Sequence, residues 1–167
     1  MNDSPIVAVA MGSDSDLPTL LPGIKLLKSL GIGVEVRVLS AHRTPFRMYT
    51  FGSEARNKGF KVIIAGAGGA AHLPGMLASL TTLPVIGVPV KSKALSGVDS
   101  LYSIAQMPGG IPVATVAIGG GLNAGLLAAQ ILAISDDNIA DALEKYRQDM
   151  QDTVIEKDKI VSTGDYA

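Results

Sequence analysis

An α/β fold with a central parallel sheet is predicted by three features of this 167-residue sequence. Five short apolar runs, Ile6–Met11, Gly33–Leu39, Lys61–Ala65, Pro84–Val90 and Ala114–Ile118, are spread along the chain. Helix-compatible segments alternate with them, which implies right-handed βαβ crossovers. Most of the runs are apolar on consecutive positions, the pattern of strands covered on both faces. Five strands joined this way commonly take the order 2-1-3-4-5, the flavodoxin-like arrangement of a three-layer α/β/α sandwich. One domain is expected over 1–167, with a core over about 5–135 and a C-terminal helical extension over about 136–163.

The first run, Ile6–Met11, ends at Gly12. Ser13-Asp14-Ser15-Asp16 supplies caps for a helix starting near Leu17, with Pro18 in its first turn. This helix runs towards Leu30 and stops at Gly31. Pro22 and Gly23 are expected to shift its start or kink it. Gly33–Leu39 alternates apolar and charged residues, so it belongs near a sheet edge. Ser40–Pro45 is a polar loop opening a helix to about Lys58. Lys61–Ala65 is the third strand, Gly66–Pro74 a loop, and Gly75–Thr82 a helix.

Pro84 and Pro89 weaken the fourth strand. A polar loop over 91–97 precedes a short helix over Val98–Met107, and Pro108-Gly109-Gly110 is a turn. Ala114–Ile118 ends in Gly119-Gly120-Gly121. An apolar helix covers Leu122–Ile134 and an amphipathic one Asn138 to about Val161. In the latter, Ile139, Leu143, Tyr146, Met150, Val154 and Val161 share one stripe. That stripe reads as packing and is assigned no chemistry.

Charged residues make up 17% of the chain and hydrophobic residues 47%. That is too apolar for a disordered chain. A net charge of −1 gives no footprint for nucleic acid or an anionic membrane. A small anionic ligand stays possible, because it needs only a local cluster. Aromatics at 4% and the absence of Trp argue against base-stacking platforms. The absence of Cys excludes disulfides, thiolate nucleophiles and zinc–thiolate sites. So few charges favour surface buried against further copies of the chain, hence a homo-oligomer. Met1–Pro5 carries no basic residue, and no stretch approaches the ~20 apolar residues of a membrane span. A soluble, cytoplasmic protein is expected, with neither membrane nor nucleic acid as partner.

In the predicted strand order the topological switch lies between strands 1 and 3, where ligands bind at the carboxyl ends. Three loops meet there: Gly12–Asp16, Ser40–Pro45 and Gly66–His72. The only two histidines, His42 and His72, lie in these loops rather than inside elements, where packing histidines more often fall. In Gly66-Ala67-Gly68-Gly69 the backbone N–H groups are free to approach an anion. Tight loop packing explains that run equally well. It is not a phosphate-binding P-loop, and it fails the dinucleotide glycine pattern. Gly12, Ser13, Asp14 and Asp16 can be a plain helix cap. Alternatively, Ser13 and the backbone bind a phosphate and Asp16 a sugar hydroxyl. Arg43 is the one cation in the three loops and has a fork suited to phosphate; an ordinary surface arginine is the other reading.

Seven segments carry a specific resemblance. They are Met11–Asp16, Ser40–Pro45, Ile64–Met76, Gly87–Val90, Leu95–Ile104, Met107–Val113 and Asn123–Leu132. In order and without long insertions, they resemble the bacterial-type N5-carboxyaminoimidazole ribonucleotide mutases of purine biosynthesis. The resemblance covers about residues 5–135. It implies a flavodoxin-like fold, a homo-octamer and an isomerase that moves a carboxylate from the exocyclic nitrogen to ring carbon 4. Neither cofactor nor metal is implied. His72 is the implied general acid/base, and His42 lies at the carboxylate end. Ser13, Asp16 and Arg43 are the implied substrate-binding positions. Gly12, Asp14, Ser40, Ala41, Gly66, Ala67, Gly68, Gly69 and Leu73 lie around them in the same motifs. Animal-type relatives, which carboxylate the ribonucleotide directly with CO2, lack the Ala70-Ala71-His72-Leu73-Pro74 pattern. Its presence favours the mutase over that lyase. A flavin- or nucleotide-binding module without catalysis is the remaining reading, and the scarcity of aromatics counts against it.

Overall fold

The computed structural model describes residues 5–164; residues 1–4, on which part of the reading of the N-terminus rests, and 165–167 lie outside that range. The order is β1 (Val7–Met11), a 3-10 turn (Asp14–Asp16), α1 (Leu17–Ser29), β2 (Val34–Val38), α2 (Pro45–Glu54), β3 (Val62–Gly68) and α3 (Leu73–Leu80). There follow β4 (Val85–Val90), α4 (Val98–Ala105), β5 (Ala114–Thr115), α5 (Gly121–Ala133) and α6 (Asp137–Ser162). All strand pairs are parallel and the sheet order is β2-β1-β3-β4-β5. The expected flavodoxin-like order is the observed one.

Alternation along the central strands sends side chains to two cores. Ile63, Ala65 and Ala67 of β3 face α2 and α3 with Met48, Phe51, Leu73 and Leu77. Val62 and Ile64 face α1, α5 and the start of α6 with Leu20, Ile24, Leu27, Ala124 and Ile139. β1 and β4 are buried along their whole length. β2 is the half-wet edge strand its charge alternation predicts. Register brings the carboxyl ends level: Met11 pairs with both Val38 and Gly66. Leu39 N–H then donates to Met11 O at 2.7 Å, and Gly12 N–H to Gly66 O at 3.3 Å. The loops after β1 and β2 therefore leave the sheet from one line, and β3 runs two residues further before its own loop.

Several boundaries differ from the sequence reading, each for a local reason. α1 runs unbroken through Pro22, and Gly23 is where α5 crosses it closely. α2 stops at Glu54, four residues early. There Ala55 N–H turns back to Gly52 O, and Gly59 at φ +91° closes the turn. β3 is longer than expected and includes Gly66, Ala67 and Gly68, so the loop after it begins at Gly69. α3 begins two residues earlier than read, at Leu73, with Pro74 in its first turn. β5 is only two residues long, caught between Pro112 and the glycine turn, although Val116 N–H still bonds Gly87 O.

Asp136 caps α6 by accepting from the N–H groups of Asn138 and Ile139. Of the predicted stripe, Ile139 and Leu143 are buried, while Met150, Val154 and Val161 are exposed. The second half of α6 thus extends beyond its own core. Among the described residues no helix is long and apolar enough to cross a membrane.

Candidate functional site

The three loops enclose a cavity of about 410 Å³. Gly12, Ser13, Ser15 and Asp16 come from the loop after β1. Ser40, Ala41, His42 and Arg43 come from the loop after β2. Ala67, Gly68, Ala70, His72 and Leu73 come from the end of β3 and the start of α3. α3 points its positive N-terminal end towards this space. The topological switch point of the sheet is thus a lined concavity.

Within it the two histidines touch. His42 Nε2 lies 2.7 Å from His72 Nδ1, and the rings meet edge to face at 82°. Residues thirty apart in sequence are joined because β1 brings the ends of its neighbours β2 and β3 to either side of itself. His42 sits in the turn leaving β2. His72 heads α3, where its carbonyl accepts from Met76 N–H and its own N–H donates to Ala70 O. One shared nitrogen must carry a proton and the other a lone pair. Each ring keeps its second nitrogen, His42 Nδ1 and His72 Nε2, outside the shared bond. The pair is a ready path for moving one proton.

Ser13 caps the 3-10 turn: its hydroxyl accepts from Ser15 N–H at 3.4 Å and donates to Asp14 Oδ1 at 3.0 Å. Asp16 answers by accepting from Ser13 N–H at 3.1 Å. Arg43 bridges two loops. Its Nε donates to Ser40 Oγ and its Nη2 to Gly12 O, both at 3.1 Å. That brace fixes the guanidinium and leaves further donors for a ligand.

Asp16 is 9% exposed. Burial raises its pKa, against the opposing hydrogen bonds from Ser13 and Gly12 main chain. The folded chain therefore keeps this proton to higher pH than the unfolded chain does. Stability from this group falls as pH rises from the unfolded to the folded value, and below both the cost is absent. Asp16→Asn retains an oxygen for Ser13 N–H. We expect it to raise Tm at pH 7 by about 1–3 °C and to change it little near pH 3. Paired thermal melts at the two pH values check this, and a lower Tm at pH 7 overturns it.

Three predicted residues have other tasks here. Gly66 faces the core, where an added Cβ would lie 3.0 Å from Leu20 Cδ1 and the leucine side chain would have to give way. Gly69 takes φ +68°, and its N–H is already given to Ser100 Oγ at 2.8 Å. The run Gly66–Gly69 is thus mostly strand and packing, and Ala67 and Gly68 alone of it reach the cavity wall. Asp14 lies on an adjoining cleft of about 570 Å³ that also carries Arg37, Arg43 and Arg47. Ser15 and Ala70, which the sequence reading passed over, line the main cavity. Arg47 stands in the first turn of α2, four residues after Arg43 of the preceding loop, and that density of arginine was the available signal for the basic cleft. Among the described residues no group of three His, Cys, Asp or Glu side chains converges as a metal site.

Comparison with known proteins gives a consistent result. A family model described as AIR carboxylase matches residues 6–153. The chain is 58% identical over 154 residues to an N5-carboxyaminoimidazole ribonucleotide mutase from Synechocystis, covering 92% of this chain and 88% of that one. It is 56% identical to the protein of that name from Pyrococcus horikoshii, covering 95% and 89%. The crystal structure of Treponema denticola PurE matches with a TM-score of 0.84 at 33% identity, covering 93% and 97%.

Proposed function

This chain belongs to the AIR carboxylase family, and from that premise we propose that it is an N5-carboxyaminoimidazole ribonucleotide mutase working through its histidine pair. It is an isomerase that converts N5-carboxyaminoimidazole ribonucleotide to the 4-carboxy-5-aminoimidazole isomer. The observation that carries the mechanistic reading is the 2.7 Å contact between His42 and His72 on the cavity wall.

The chemistry follows from what that pair can hold. Breaking the N–carboxylate bond releases CO2 and leaves the electron pair on the exocyclic nitrogen. An imidazolium proton neutralises that nitrogen as CO2 departs. Carbon 4 is enamine-like and attacks the same CO2, forming a carbon–carbon bond. The pair, now one proton short, removes the proton from carbon 4 and restores the aromatic ring. The two transfers balance, so the enzyme ends in its starting state.

We assign the exchange with nitrogen and carbon 4 to His72 and the carboxylate end to His42, with the proton free to pass between them. Gly12, Ala41, Ala67, Gly68 and Leu73 supply small walls that keep CO2 beside carbon 4. Ser13, Ser40 and Arg43 hold the phosphate, and Asp16 suits the ribose hydroxyls.

The test supplies either the N-carboxylated ribonucleotide or free aminoimidazole ribonucleotide with bicarbonate. Rapid turnover of the first is expected. The family description names a carboxylase, so direct carboxylation with CO2 is the competing reading. Rapid turnover of only the second pair of reactants establishes that lyase instead.

A homo-oligomer, an octamer by resemblance, is part of the same proposal. α5 buries its small face, Gly121, Ala124, Gly125, Ala128 and Ala129, inside the subunit. Leu122 and Ile134 stay exposed, as do Met150, Val154, Ile160 and Val161 of α6. Such apolar surface is what obligate contacts cover. Sedimentation at micromolar concentration is expected to give a mass several times 17.2 kDa; a monomer overturns this part. A phosphorylated substrate does not cross membranes unaided, which supports a cytoplasmic location as part of this proposal.

A further inference from the structure

Away from the cavity wall, α4 holds the loop that carries His72 by two hydroxyls one helical turn apart. Ser100 is fully buried. Its Oγ accepts from Gly69 N–H at 2.8 Å and donates to Val90 O at 2.7 Å. Ser103 Oγ donates to Gly69 O at 3.2 Å. Both polar groups of one peptide residue are therefore held from the same helix. That residue has φ +68°, a left-handed geometry that glycine adopts freely and that sets the direction of the chain after it. Only Ala70 and Ala71 separate it from His72. α4 is itself anchored below: Ser92 Oγ donates to Asp99 Oδ1 at 2.6 Å, and Ser100 N–H donates to the same oxygen. The Ser92 hydroxyl holds the Asp99 carboxyl below the usual range.

We propose that Ser100 and Ser103 are positioning residues that set the His72 ring against His42. Neither lines the cavity, so both act through Gly69. A clamp on both the N–H and the carbonyl fixes the peptide planes on either side of Gly69. The short Ala-Ala link leaves little slack to absorb a rotation there. The 2.7 Å ring contact tolerates little error, because a hydrogen bond weakens steeply with misalignment.

The catalytic side of this inference rests on the histidine reading above, so the test has a readout independent of turnover. The chain has only two histidines, and ring-nitrogen NMR reports the tautomer and hydrogen bonding of each directly. In Ser100→Ala the signature of the shared hydrogen bond is expected to weaken or vanish. We also expect kcat to fall about 10- to 100-fold with KM within about twofold of wild type. Ser103→Ala follows in the same direction, and Ser103→Thr, which keeps the hydroxyl, restores both readouts. Ser103 is less buried, so its variants keep the test available if Ser100→Ala does not fold. In a His72→Asn background Ser100→Ala adds no further loss of kcat. A wild-type ring-nitrogen spectrum in folded Ser100→Ala and Ser103→Ala overturns the positioning role, whatever happens to Tm. A changed spectrum with unchanged kcat supports the clamp and overturns the histidine reading instead.

Discussion

Replacing either histidine of the pair, His42→Asn or His72→Asn, is expected to lower kcat by about 100- to 10,000-fold. Ligand affinity should change by much less. Asparagine keeps a polar side chain of similar reach but cannot shuttle a proton near neutral pH. The 2.7 Å bond explains why both residues belong to one prediction. Each ring sets which nitrogen of the other carries the proton, so losing one ring disturbs the state of its partner. The double variant is accordingly expected to lose little more than the worse single one, as groups that act as a unit do. Steady-state kinetics with the N-carboxylated substrate, paired with calorimetric binding, separates turnover from affinity. Full activity in His72→Asn removes it from the chemistry. Full activity in His42→Asn reduces that ring to a bystander.

The parallel sheet was legible in the sequence for a physical reason, and its order is the common one for five strands joined this way. Strands covered on both faces need continuous apolar runs, and β1, β3 and β4 have them. With order 2-1-3-4-5 fixed, the loops after β1, β2 and β3 have to converge, so His42, His72, Ser13, Asp16 and Arg43 come together without any contact being known. What could not be read is how far a strand persists into a glycine run. Gly66, Ala67 and Gly68 have no side chains that distinguish strand from loop. Their conformation is decided by pairing with β4, where Gly68 meets Val90. The Ser100–Gly69 link was equally invisible, because a buried serine in an amphipathic helix looks like any small residue.

The helix after β5 shows the same limit more sharply and leads to the largest expected effect on stability. Its sequence is apolar throughout, yet the face that meets the rest of the subunit is Gly121, Ala124, Gly125, Ala128 and Ala129. Opposite lies Gly23 of α1. A Cβ on Gly125 would sit 2.8 Å from Gly23 Cα, and one on Gly121 would sit 2.9 Å from Thr19 C. A Cβ on Gly23 would overlap the Gly121 carbonyl oxygen. These neighbours are backbone on both sides, so no rotamer change relieves the overlap. The helices have to separate, which opens the core around Leu20 and Ala124. Propensity alone predicts the reverse sign, since alanine in place of a helical glycine gains up to ~1 kcal/mol. We expect close approach to win. Gly121→Ala and Gly23→Ala should each destabilise by about 3 kcal/mol, at the upper end of overpacking costs. That corresponds to a drop in Tm of about 6–12 °C for a chain of this size. Gly31→Ala is the comparison: at φ +75° with open space around it, it should cost only about 1–2 kcal/mol. Thermal and denaturant unfolding of the three variants checks the order. A stabilised Gly121→Ala means that the α1–α5 crossing is loose, and that the glycines there are not what lets α5 sit against the sheet.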